Sequence, residues 1–111
     1  MEELEETQAI SLKVLGFLYL RLGFFDRAAR LFRALRSFLP EDAGIHLSLS
    51  AALLENGEAE EALALLDAPP FVPSPATNPV LLLLKARALW RLRRNEEACT
   101  VMDAYLAGAA R

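Results

Sequence analysis

Residues 15–32 of this chain and residues 49–66 carry the same succession of small and large side chains, 34 positions apart. Leu15 falls on Leu49, Gly16 on Ser50, Tyr19 on Leu53, Gly23 on Gly57, Ala28 on Ala62 and Phe32 on Leu66. At these positions small residues stay small and large ones stay apolar, whereas Phe25 shrinks to Ala59. A further step of 36 carries Ser50 to Ala86, Leu53 to Leu89, Ala62 to Ala98 and Leu66 to Met102. A unit this short cannot bury its apolar face alone, so it must stack on copies of itself.

The units are helical. Of 111 residues, 23 are Leu and 19 Ala, against nine Val, Ile and Thr together. Ala and Leu lose little rotamer freedom in a helix, whereas β-branched residues lose χ1 freedom there. The fold class expected is all-α: three stacked helical hairpins forming an α-solenoid, in one domain over residues 1–111. The units fall at about 9–42, 43–68 and 79–108. Gly16, Ser50 and Ala86 sit midway along the first helices, where the second helices cross closely, and Ala28, Ala62 and Ala98 are the reciprocal small residues. Helices are expected near 3–22, 25–38, 42–55, 59–67, 79–92 and 96–106. Gly23 and Gly57 close first helices, Pro40 follows the second helix of the first unit, and Asn78-Pro79 opens the fifth helix. Segment 68–79 holds five of the six prolines and reads as an extended connector.

Several function classes are disfavoured by composition. The net charge is −3, so the chain lacks the electrostatic footprint of a nucleic-acid binder. A single cysteine, Cys99, excludes an intrachain disulfide and suits a reducing compartment, and with a single His46 it cannot form a Cys/His zinc cluster. The first six residues are acidic where a secretion signal is basic, and no apolar run approaches the ~20 residues of a membrane span. A cytoplasmic protein without membrane insertion is expected. No catalytic residues, cofactor or metal ligands are expected, and the protein is read as no enzyme. Glu60-Glu61 and Glu96-Glu97 occupy matching helix starts, where carboxylates favour the positive end of the helix dipole. His46 reads as a packed histidine and Cys99 as a partly buried, inert thiol. Arg27, Arg30, Arg33 and Arg36 read as the solvated face of a second helix.

The spacing Leu12-x-x-Leu15-Gly16-x-x-Tyr19, then Gly23-x-Phe25-x-x-Ala28-x-x-x-Phe32, Leu35 and Pro40 resembles a tetratricopeptide repeat. The second unit keeps the register but has His46 where a large apolar residue is usual. The third departs further, with Lys85 at the usual Leu, Arg93 at the usual Gly and Tyr105 at a small position. As a lone three-repeat chain, apolar and acidic, it resembles the small tetratricopeptide chaperones of bacterial type III secretion, the YscY/SctY kind above all. The segment Val14–Leu39 carries that likeness. It implies a chaperone that holds a small export substrate in its concave groove before delivery to the export apparatus, with a contact at the export gate. Needle-subunit and translocator-type chaperones, and a general interaction adaptor, are the alternatives.

In stacked hairpins of that family the first helices line the concave surface. The residues expected there are Ile10, Val14, Phe17 and Leu20 from the first helix, Leu47, Ala51 and Leu54 from the third, and Leu83, Arg87 and Trp90 from the fifth. Lys13, Arg21 and Arg91 are placed at the rim. An apolar groove of this kind suits an amphipathic helix of a protein partner. With the partner absent, the apolar surplus is expected to drive self-association, in a homodimer for example.

Overall fold

A computed structural model describes residues 5–68, 71 and 78–109. Six helices follow one another: α1 (Glu6–Leu22), α2 (Phe25–Phe38), α3 (Ala43–Glu55), α4 (Ala59–Leu66), α5 (Pro79–Arg91) and α6 (Asn95–Ala109). Side-chain hydrogen bonds mark two of the helix starts. Gln8 Oε1 accepts the Glu5 N–H at 3.2 Å ahead of α1, and Asn78 Oδ1 accepts from Val80 N at 2.9 Å ahead of Pro79. The sixth helix extends three residues beyond the expected Leu106, passing through Gly108. The start expected at residue 3 and most of the proline connector lie outside the described residues.

All three first helices end in the same turn. Phe24 N bonds Tyr19 O at 2.9 Å, Glu58 N bonds Leu53 O at 2.8 Å and Arg94 N bonds Leu89 O at 2.9 Å. The residue before each donor is left-handed: Gly23 and Gly57 at φ 84°, and Arg93 at φ 62°. Arg93 bears a Cβ in a conformation that glycine takes without steric cost. Replacing it with glycine relieves that strain, partly offset by the greater freedom of the unfolded chain. Arg93→Gly is therefore expected to raise the unfolding free energy by up to about 1 kcal/mol, seen as a higher urea midpoint with an unchanged slope.

Neighbouring hairpins pack in order. The backbones of α1, α3 and α5 adjoin in series, α3 packs on α2 and α5 on α4, while the backbones of the second helices stay apart from one another. This asymmetry puts the first helices on the inner side of the stack. The core centres on α2, α3 and α4, where Phe32, Leu35, Ile45, Leu49, Leu53, Leu54 and Leu66 are fully buried. The small crossing residues do what their spacing implies: Ser50, Ala28 and Ala62 are wholly inaccessible, and Ala86 and Ala98 nearly so. A Cβ on Gly16 would land on the Phe32 ring, at Cζ and within 2.9 Å of Cε1. No described helix is long and apolar enough to cross a membrane.

Asp42 joins the first two units. Its Oδ1 accepts from Ile45 N at 3.2 Å, capping α3, and its Oδ2 accepts from Lys13 Nζ of α1 at 2.6 Å. The hydrogen bond from Lys13 outweighs partial burial and holds the Asp42 carboxyl below its ordinary value. A depressed carboxyl stabilises the fold above the unfolded-state pKa and loses that contribution as pH falls through the folded one. Asp42→Ala is thus expected to cost about 1 kcal/mol near neutrality. That deficit should shrink towards zero below the ordinary carboxylate range, in paired urea titrations of variant and parent.

Candidate protein-binding site

The inner face is built from three registers that recur along the first helices. Ile10, Gly44 and Val80 form one row, Lys13, Leu47 and Leu83 the next, and Phe17, Ala51 and Arg87 the third, each in steps of 34 and 36. Ile10, Phe17, Val80 and Leu83 are exposed, with Phe17 at 47% despite its ring lying 5.6 Å from that of Phe32. Leu47 and Ala51 are half-buried and rest on the core, so they form a shallow floor between the two exposed apolar ends. Val14 is exposed on α1.

Three expected members behave differently. Leu20, Leu54 and Trp90 share a fourth register that turns towards the next hairpin. Leu54 is fully buried, because α5 covers it, and cannot meet a partner; its assignment to the groove is corrected. Leu20 is half-buried against the core under α3. Trp90 is 65% exposed, yet its neighbours in a hollow of about 360 Å³ include Ala98, Cys99 and Met102 of α6. It stands on the outer flank of the last hairpin.

Much of the charged rim is already engaged. Arg87 donates to Glu55 Oε1, Arg91 Nη2 lies 3.9 Å from the same oxygen, and Arg91 also donates to Leu54 O. Two guanidinium groups face one carboxylate, which leaves that end of the groove net positive. Glu55, an unassigned neighbour in the sequence, thereby staples α3 to α5. In the arginine line on α2, Arg27, Arg30 and Arg33 are exposed as expected while Arg36 is half-buried; Arg30 pairs with Asp26 at 2.9 Å and Arg33 with Glu61 at 2.6 Å.

The remaining candidates divide. His46 is buried, with Nε2 donating to Pro40 O at 2.8 Å and its ring edge-on to Phe71, which is a packing role. Cys99 is exposed, not partly buried: one residue beyond Ala98 turns it about 100° out of the crossing. Glu60-Glu61 and Glu96-Glu97 lie in the first turns of α4 and α6. Arg94 hydrogen-bonds Glu97 and holds its carboxyl below the ordinary value. Among the described residues no group of three or more His, Cys, Asp or Glu could hold a metal ion.

Helical hairpins stacked on small crossing residues, with an apolar inner face, define a helical-repeat protein. The chain belongs to the tetratricopeptide-repeat family, whose model matches residues 14–73, more than half of its length. The match runs from the middle of α1 to beyond α4, and α5 and α6 continue the same packing. No curated protein matches the chain. Tetratricopeptide domains bind protein partners, and this one presents a surface suited to that.

Proposed function

We propose that the chain binds an amphipathic helical segment of another protein along the inner face of α1, α3 and α5. The observation that carries this reading is the row geometry: exposed Ile10 and Phe17 at one end, Val80 and Leu83 at the other, and Leu47 and Ala51 between them. Apolar side chains at helical spacing on a partner match such a floor, and a net positive rim favours acidic residues beside its stripe. Within that role we place the chain as a cytoplasmic chaperone of a small type III export substrate, holding it until it meets the export gate. What supports the narrower reading is the small size, the apolar surplus and the Val14–Leu39 pattern of the sequence.

Co-expression with a small helical early export substrate is the test. A one-to-one complex is expected to persist through gel filtration, and Phe17→Asp should weaken it on the order of thirtyfold or more, with helicity unchanged. If such substrates are ignored while an unrelated protein binds in a Phe17-dependent way, the chain is a general adaptor. Binding indifferent to Phe17→Asp removes the inner face from consideration.

A further inference from the structure

Every internal junction of the stack has two sides. One is a flank made by a hairpin: Leu20, Ala29 and Phe32 in the first unit, Leu54, Leu63 and Leu66 in the second. Most of these are buried, because the next first helix lies on them. The other side is the face of that incoming helix, Leu49 and Ala52 on α3, Leu84 and Ala88 on α5, also buried.

Both sides recur, uncovered, at the two ends of the described structure. The flank register continues in the last hairpin as Trp90, Cys99 and Met102, around the hollow of about 360 Å³. The incoming-face register continues on α1 as Val14, Leu15 and Leu18, which are 57%, 40% and 49% exposed. Leu18 stands where α3 and α5 have fully buried alanines, Ala52 and Ala88. On the flank, Cys99 replaces the larger Leu63, which leaves room for that larger side chain.

Ion pairs also bridge the junctions, though the partner changes between them. Arg33 bonds Glu61 across the first junction, and its counterpart Asp67 bonds Lys85 at 2.7 Å across the second. The third member of that register is Asp103, exposed on α6; the counterpart of Glu61 in the first unit is Arg27, exposed on α2. The free ends therefore carry opposite charges at the position where the first junction carries an ion pair.

We propose that copies of this chain associate head to tail, α1 of one copy docking on the α5/α6 flank of the next as α3 and α5 dock within the chain. The contact is heterologous, so each copy keeps one free end and assembly is open. It uses Leu18 and Trp90, and so stands or falls apart from the partner reading of Phe17.

The experiment is sedimentation of the chain alone from roughly 1 to 300 μM, where the average mass should climb with concentration beyond a dimer. Trp90→Glu and Leu18→Glu should each weaken association at least tenfold. Mixed together, each supplies the end the other lacks, and they should form a one-to-one dimer that grows no further. Helicity of each variant controls for folding, since both sites are exposed. As a second measurement, Asp103→Arg should weaken assembly, and adding Arg27→Asp in the same chain should restore it. A monomer throughout the range, assemblies indifferent to either Glu substitution, or a mixture that stays monomeric would overturn the proposal.

Discussion

Phe32→Ala is expected to remove about 3–5 kcal/mol, a large share of the stability of a domain this size. Phe32 is fully buried, its ring fills the space over Gly16, and it also backs Phe17 of the inner face. The converse change, Gly16→Leu, drives a side chain into the same ring and should cost roughly 1–3 kcal/mol through overpacking, more than any gain in helix propensity. The two act on one volume. Combined, Gly16→Leu and Phe32→Ala should therefore destabilise by less than the sum of the singles, with a coupling of roughly 1–3 kcal/mol. Urea unfolding of the four proteins checks this. Strict additivity would mean that α1 and α2 do not cross at Gly16.

Leu54→Ala and Trp90→Ala change the same register in successive units and should differ sharply. Leu54 is fully buried under α5, and truncating it should cost about 2–5 kcal/mol. Trp90 has no such cover among the described residues, and its truncation should move stability by no more than about 0.5 kcal/mol when measured on the dilute monomer. Comparable losses in both variants would place Trp90 in the core and overturn the account of the last hairpin's flank.

The period of 34 was legible because a close helix crossing tolerates only small residues, and Gly16, Ser50, Ala28 and Ala62 stand out against leucine-rich surroundings. Helix ends were legible wherever chemistry marks them, as at Gly23, Gly57 and Asn78-Pro79. The division of each first helix between groove and junction was not. Leu47 and Leu54 are the same residue type on one helix, and only the stagger of α5 against α3 buries the second completely. Cys99 was misjudged for a related reason: adjacency in sequence to buried Ala98 says little about facing, since one step rotates the side chain by about 100°. Arg93 kept its place in the turn although the residue type argued against it, because the bonds closing α5 impose the left-handed conformation. Of the expected inner face, Ile10, Phe17 and Leu83 lie exposed on first helices.

α1 buries only Ala9 and Gly16, whereas α3 buries seven of its thirteen residues. In a stack whose units touch only their neighbours, such an end can open without the rest. Amide exchange in α1 should then run ahead of exchange in α3, with the Lys13–Asp42 pair as one of the few polar latches holding it shut. Since Ile10 and Phe17 travel with α1, an open α1 is a chain without half of its inner face. The apparent affinity for any ligand of that face is the intrinsic affinity scaled by the fraction of time α1 is closed. Lys13 and Asp42 thus become tuning residues: weakening their contact lowers apparent affinity, and a bound ligand slows exchange along the whole of α1.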